Sequence, residues 1–439
     1  MPVTSLSTDL YQLTMLAGYV HAGRHETPAT FEMFVRRLPR HRACLVTAGV
    51  EHALEYIEQL RFTSDEIAWI RELPPFAGIG PAFFDYLRSF RFSGDVWAMR
   101  EGTPFFPHEP ILRVTAPLAE AQLLETALLA ILNFETTIAS KAYRIVQAAA
   151  GHPVMEFGAR RAHGVDAALY AARAAYIAGC TGTSFVEAGR RFGIPVSGTM
   201  AHSWVLAAAS EREAFATYAE LFKHHTVLLL DTYDVPAAAA LVVESGLRPS
   251  AIRIDSGDLL ASSRHVRDVF DRGGLRETQI LVSGDLDEWK IRALVDADAP
   301  IDGFAVGTAL TTSDDAPALG GVYKLVEIQE RGHWRGVMKR SEGKATWPGR
   351  KQVWRIVENG TAVRDVISVD DEQAPSAGIP LLECVMRGGR MVPSLPLAAV
   401  RDHCARMVRM LPDPFRGVST DPIAFPVQRS EGLQRLQDR

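Results

Sequence analysis

The sequence predicts an α/β protein: an irregular, TIM-like α/β barrel preceded by an N-terminal α/β domain that C-terminal segments complete. Three observations predict it. Residues 152–328 alternate short apolar runs with helical patterns, as parallel βαβ units do. About seven such strands in under roughly 180 residues favour a barrel over an open sheet. Residues 335–439 return to strands and Pro/Gly-rich loops. A parallel barrel offers these no vacant edge, so they are expected to pack back on the first domain. The expected domains are 1–115, 116–334 and 335–439, and 439 residues suit two or three domains of about 150 each.

The elements can be justified in order. Asp9–Val20 has a short helical pattern, and Phe31–Val35 reads as a strand. Thr63 and Glu66, three apart, form a capping-box pattern for a helix that Pro74-Pro75 ends. Arg91–Arg100 and Pro110–Thr115 alternate or run apolar as strands do. From Leu118 to Ala150 the period changes, with Leu124, Leu128, Ile131 and Leu132 at helical spacing. The later strands are Val154–Phe157, Pro195–Ser197, Thr226–Leu230, Ala251–Ile254, Gln279–Val282, Gly303–Val306 and Val322–Ile328. Helices are predicted at Asp166–Ala178, Glu211–Lys223, Ala237–Ser245, Ser262–Gly273 and Glu288–Asp296.

Composition excludes several functions. With 47 Lys+Arg against 52 Asp+Glu the net charge is −5, a poor basis for nucleic-acid binding, which needs cations to neutralise phosphates. The four cysteines (Cys44, Cys180, Cys384, Cys404) form no CxxC pair, so neither a zinc knuckle nor a disulfide framework is expected. The first residues lack a basic stretch followed by an apolar one, and the most apolar run, Ala127–Leu132, is too short to span a bilayer. A soluble cytoplasmic protein without membrane partners is the expectation.

Ligands of parallel α/β folds sit at the carboxyl ends of the strands. Six strands in succession end in small, charged or histidine residues: Gly158-Ala159-Arg160-Arg161, Gly198-Thr199-Met200-Ala201-His202-Ser203, Asp231-Thr232-Tyr233-Asp234, Asp255-Ser256-Gly257-Asp258, Ser283-Gly284-Asp285 and Gly307-Thr308. One such end is an ordinary turn; six on one rim indicate a site. Gly284 and Gly307 permit tight turns whose N–H groups can cradle a phosphate, and two such turns on adjacent late strands suit a barrel phosphate site. Asp255 and Asp258 suit ribose hydroxyls or Mg²⁺, the alternative being an Asx turn capping the next helix. One of Arg160 and Arg161 is expected to fork onto a carboxylate or phosphate. His202, beside the hydroxyls of Thr199 and Ser203, reads as a nucleophile or an acid/base group, against a hydrogen-bonded core histidine.

These residues carry a resemblance. The chain resembles the nicotinate phosphoribosyltransferase family through Thr8-Asp9-Leu10-Tyr11-Gln12, Glu135 to Lys141, Phe157 to Arg161, Gly182-Thr183-Ser184, Gly198 to Ser203, Arg253 to Asp258, Ser283 to Asp287, Gly307-Thr308, Gly321 to Leu325, and Gly343-Lys344 through Pro348-Gly349-Arg350-Lys351. The resemblance implies a type II phosphoribosyltransferase, dimeric, with shared active sites. It would condense nicotinate with phosphoribosyl pyrophosphate to nicotinate mononucleotide and pyrophosphate, coupled to ATP hydrolysis through a phosphohistidine and assisted by Mg²⁺. By motif, His202 is the phosphorylated residue. Tyr11 of the partner subunit and Phe157 sandwich the pyridine ring, while Arg160, Ser203 and Arg253 bind its carboxylate. Asp255 holds the ribose, with Asp258 and Asp285 among the phosphoribosyl pyrophosphate contacts. Gly284, Gly307 and Thr308 cradle the 5′-phosphate. Lys141 and Arg144 are phosphate contacts or a solvated helix face. Mg²⁺ is held through substrate, with Asp255 or Asp258 as its protein ligand, and no structural zinc is expected.

The competing activity is that of nicotinamide phosphoribosyltransferase, in which an aspartate stands at the position of Ser184. A carboxylate there would repel nicotinate, so Ser184 favours the acid. Quinolinate phosphoribosyltransferases are shorter and lack the ATP-linked histidine. A non-catalytic phosphate-sensing barrel or scaffold is opposed by His202, Asp255 and Arg160 standing together.

Overall fold

A computed structural model describes residues 4–339, 341, 346–421 and 423–438; Met1-Pro2-Val3 and the Gly343-Lys344 motif lie outside these described residues. The chain forms two compact units, Met1–Ser140 with Ala318–Arg439, and Lys141–Pro317. The division falls inside the helix Glu125–Ala148, whose Leu128, Ile131 and Leu132 are buried, as their spacing predicts.

The first unit is built on a seven-stranded antiparallel sheet. Its order is 333–336, 321–330, 28–35, 110–117, 95–99, 382–387 and 390–391. The strand predicted at Val322–Ile328 is present but belongs here, paired with Pro28–Val35, rather than to the parallel sheet. Its ten-residue span and partly exposed face suit an antiparallel partner better than a strand enclosed by helices. Tyr323 stacks on Phe31 at 5.1 Å and its hydroxyl donates to the Ala121 carbonyl at 2.9 Å, tying strand and helix. The capping box forms as the sequence predicts: the Thr63 N–H donates to Glu66 Oε2 at 2.7 Å and the Glu66 N–H to Thr63 Oγ1 at 3.2 Å. The C-terminal segment adds the strand Leu382–Arg387 to this sheet and a helix, Leu397–Arg409, that the pattern of strands and loops does not anticipate.

A buried charge cluster in this unit makes a pH prediction. Arg355 donates to both oxygens of Asp365, at 3.0 and 2.6 Å, and none of Arg355, Asp365 and Glu109 has exposed surface. Glu109 Oε2 accepts the Phe106 N–H at 2.9 Å, while among the described residues Oε1 accepts no hydrogen bond. One guanidinium cannot balance two buried carboxylates. Burial, and then the charge of Asp365, push the Glu109 carboxyl well above its ordinary 4.5. A carboxyl raised on folding contributes stability below its unfolded pKa and loses it as pH rises through the folded one. Glu109→Gln should therefore be more stable than wild type at pH 8, by about 1 kcal/mol or more, with the gap closing towards pH 4.5. Urea unfolding at the two pH values checks this; a pH-independent difference would contradict it.

The second unit holds a six-stranded, wholly parallel sheet in the order 182–183, 154–156, 303–306, 279–282, 251–254 and 227–229. Five of its strands were predicted within a residue or two. Pro195–Ser197 is reduced to a single parallel bridge, Val196 to Thr183. Gly182-Thr183, only two residues long, carries no apolar run by which to recognise it. The helices run Val165–Ile177, Glu211–Phe222, Val235–Glu244, Leu259–Arg272 and Glu288–Asp296, close to their predicted spans. Because every strand is parallel, every strand ends on the same side of the sheet, and the polar segments of the sequence meet there.

Candidate active site

His202 opens the short helix His202–Ala207, which follows the Val196 bridge at one edge of the sheet. Its imidazole reaches the strand tips of the opposite edge. Nδ1 lies 3.2 Å from Thr232 Oγ1, after strand 227–229, and Nε2 lies 3.9 Å from Asp255 Oδ2, after strand 251–254. The ring is partly open to solvent, so Nε2 is available to a ligand. Asp255 is itself held: Ser283 Oγ donates to its Oδ1, and its N–H donates to Asp231 Oδ2 at 3.1 Å. Ser256 Oγ donates to the same Asp231 oxygen at 2.5 Å, while the buried Asp231 Oδ1 has no donor among the described residues.

Arg253 lies under this group. One Nη donates to the Met200 carbonyl at 3.3 Å and, among the described residues, its buried Nε finds no acceptor. Burial lowers its pKa, with Asp255 and Asp231 acting against that and Arg160 adding to it. Arg253 and Arg160 are thus close enough for their charges to interact, and the unpaired buried Nε of Arg253 suits an anion. Arg160 is exposed on the turn Ala159–Arg161. Phe157, half-buried, anchors that turn by donating its N–H to Val306 O at 2.8 Å. Ser184 follows strand 182–183 and donates its N–H to Glu156 O at 2.9 Å. Ser203 is exposed beside His202.

The glycine turns stand on adjacent strands. Gly284 has φ +94°, and a Cβ there would come 1.8 Å from the Asp255 carbonyl, so only glycine fits. Asp285, with φ +45°, offers its carbonyl to Lys290 Nζ at 2.7 Å. Gly307 precedes Thr308, the exposed first residue of the helix Thr308–Thr312. Asp258 caps the helix Leu259–Arg272 by accepting the Ala261 N–H at 3.0 Å, so the Asx alternative is realised and occupies one of its oxygens.

For Lys141 and Arg144 the structure excludes the second of the two expected readings. Neither is a solvated helix face: both are buried, and they converge on the fully buried Glu288. Lys141 Nζ lies 2.6 Å from Glu288 Oε2 and 2.9 Å from Asp315 Oδ1, and Arg144 Nε lies 2.9 Å from Glu288 Oε1. The two cations face carboxylates before any substrate arrives. Spacing on the helix predicts a shared face but not what covers it. Tyr11 belongs to the other unit, where it is half exposed and its hydroxyl donates to Glu125 Oε2 at 3.2 Å.

Comparison with known proteins decides the family. The sequence matches the nicotinate phosphoribosyltransferase family model over residues 152–370 and the model of that enzyme's N-terminal domain over residues 6–133. The chain belongs to this family. Nicotinate phosphoribosyltransferase of Mycobacterium tuberculosis is 42% identical over 439 aligned residues, covering 98% of this chain and 92% of the relative. That of Bacillus subtilis is 46% identical over 380, covering 84% and 77%. The crystal structure of human nicotinic acid phosphoribosyltransferase superposes with a TM-score of 0.85 at 29% identity, covering 98% of this chain and 99% of that one. An enzyme of the nicotinate phosphoribosyltransferase type, acting in NAD biosynthesis or salvage, follows from the family. Two groups that pattern reading left without a role, Thr232 and Asp231, belong to the constellation; the one available signal was their position directly after a strand.

Proposed function

We propose that this protein condenses nicotinate with phosphoribosyl pyrophosphate to nicotinate mononucleotide and pyrophosphate, coupled to ATP hydrolysis through phosphorylation of His202. The contact that carries the reading is His202 Nε2 facing Asp255 at 3.9 Å, with Thr232 holding the other ring nitrogen. A hydrogen bond at Nδ1 orients the ring and leaves Nε2 as the acceptor for a phosphoryl group. Phosphorylation adds negative charge beside Asp255, whose charge acts on Arg253, and so alters how the site holds its anionic substrates.

In this reading Phe157, with Tyr11 of the partner subunit, stacks on the pyridine ring. Arg160, Arg253 and Ser203 bind the nicotinate carboxylate, and the neutral Ser184 leaves the acid unopposed. Asp255 holds the ribose; Gly284, Gly307 and Thr308 cradle the 5′-phosphate, with Asp258 and Asp285 beside it. Lys141 and Arg144 act on phosphate through the loops their ion pairs hold. Hard oxygen donors suit Mg²⁺, and the donorless buried oxygen of Asp231 beside Asp255 is such a donor. Asp255 and Asp231 would hold the ion, which supplies charge neutralisation for the departing pyrophosphate.

The sheet is proposed to curve into an irregular TIM-like barrel. His202 comes from one sheet edge and touches tips at the other, and Arg253 likewise reaches Met200, which a flat sheet would not allow. A homodimer with shared sites and a cytoplasmic location complete the proposal; among the described residues no helix is long and apolar enough to cross a membrane.

The direct test measures nicotinate mononucleotide synthesis by mass detection with and without ATP, and with nicotinate and nicotinamide competing at equal concentration. Product that increases with ATP, with nicotinate preferred about tenfold or more, is expected. No product, or preference for the amide, would refute the reading.

A further inference from the structure

We propose that Glu156 is a positioning residue that holds the two nicotinate-recognition turns in one register and thereby sets the preference for the acid substrate. The proposal rests on the reaction proposed above and concerns a residue to which that reaction assigns no part. Glu156 ends the strand Val154–Glu156, which pairs with 182–183 on one side and 303–306 on the other. Its side chain is buried, 1% exposed, at the carboxyl end of the parallel sheet.

One carboxylate grips two turns. Oε1 accepts the N–H of Gly158, inside the turn that carries Phe157 and Arg160. Oε2 accepts the hydroxyl of Thr183 at 2.6 Å, and that hydroxyl oxygen accepts the Phe185 N–H at 3.0 Å. The Glu156 carbonyl accepts the Ser184 N–H at 2.9 Å. Phe157 and Arg160 on one side and Ser184 on the other are therefore referenced to a single residue, through its carboxylate at Gly158 and Thr183 and its carbonyl at Ser184. Gly158 allows the close approach, since a Cβ there would lie 2.5 Å from Thr311 Cβ and 2.9 Å from Glu156 Oε1.

A carboxylate is an expensive choice for packing. Among the described residues Glu156 forms no ion pair, and burial pushes its carboxyl up, with the Thr183 and Gly158 bonds opposing. An apolar side chain would fill the space without that cost. What an apolar side chain cannot do is accept from a backbone N–H and a hydroxyl at once. Among the described residues, the elements assigned to phosphoribosyl pyrophosphate, at 255–258, 283–285 and 307–308, donate no hydrogen bond to the Glu156 side chain. Loss of the clamp should therefore fall on the ring substrate.

The test is steady-state kinetics of Glu156→Gln, Thr183→Val and Thr183→Ser in the full chain, with melting temperature as a fold check. Thr183→Val removes the hydroxyl and Thr183→Ser keeps it. For Glu156→Gln and Thr183→Val the nicotinate KM should rise about tenfold and the nicotinate-over-nicotinamide ratio should fall by a similar factor. The phosphoribosyl pyrophosphate KM should stay within about twofold, and Thr183→Ser should retain wild-type values. If Glu156→Gln does not fold, the Thr183 pair decides. An unchanged nicotinate KM in Thr183→Val overturns the proposal, as does an equal rise in both KM values with a fall in kcat, which marks general loosening. Wild-type protein that makes no nicotinate mononucleotide would instead overturn the reaction on which the proposal rests.

Discussion

Replacing His202 with alanine is expected to abolish ATP hydrolysis and its coupling while leaving slower, uncoupled synthesis of nicotinate mononucleotide. The substitution removes the proposed phosphoryl acceptor, Nε2, and its neighbouring contacts to Thr232 and Asp255. It leaves Arg160, Arg253, Gly284 and Asp255, on which substrate binding is proposed to depend. Positioning and charge stabilisation then still act on the transfer at C1′, but the equilibrium is no longer pulled by ATP. A loss of at least about a thousandfold in ATPase rate, against a drop of about tenfold to a hundredfold in uncoupled synthesis, is the expected split. The ratio of inorganic phosphate released to nucleotide made checks it. A variant that keeps one phosphate per product would end the proposed role of this histidine.

The largest stability effect is expected at Glu288. This carboxylate is fully buried and answers both Lys141 and Arg144, at 2.6 and 2.9 Å. Glu288→Gln keeps the shape and removes the charge, leaving two buried cations, with Asp315 and Asp314 still at 2.9 and 3.4 Å from Lys141. Breaking a buried ion pair from one side costs about 3–5 kcal/mol, far more than a surface pair. Burial on its own would push the Glu288 carboxyl up, but Lys141 and Arg144 hold it below its ordinary value. The sign is then that of a depressed acid: the stabilisation is present above the unfolded pKa and lost as pH falls through the folded one. Urea unfolding of the variant at neutral pH, and of wild type on acidification, measures both. A neutral-pH loss under about 1 kcal/mol would show that the cluster relaxes around the missing charge. The same variant bears on activity, since Glu288 follows the 283–287 turn and Asp315 follows the helix after Gly307. A loosened cluster should raise the KM for phosphoribosyl pyrophosphate more than that for nicotinate, the reverse of the effect expected at Glu156.

Much of the second unit was legible because local rules and global fold agree there. Parallel strands covered by helices must be short apolar runs, so the runs at 227–229, 251–254, 279–282 and 303–306 stand out between amphipathic segments. One cap was equally legible: Asp258 accepts a hydrogen bond from the backbone of the helix it begins. Asp234 and Asp287 cap their helices in the same way, although the sequence marks them only as polar residues after a strand or within a motif. Elements without a local signature were harder to read. Gly182-Thr183 is too short to show a period, and Val196 contributes one bridge. The strand Gly321–Glu330 has a clear strand pattern, yet nothing local says which sheet it joins. Pairing across nearly 300 residues depends on complementary surfaces that no short window contains.

The order of residues alone determined that polar groups cluster behind successive strands, because parallel strands all end on one side, and it carried the motifs of the family. Which of those groups meet was decided only in three dimensions. His202 finds Thr232 and Asp255 across the sheet, Lys141 and Arg144 turn inward onto Glu288, and Glu156 joins two turns. Periodicity reports the direction a side chain leaves its own backbone. The partner it meets is set by how distant segments pack and by whether a buried charge finds its counterpart.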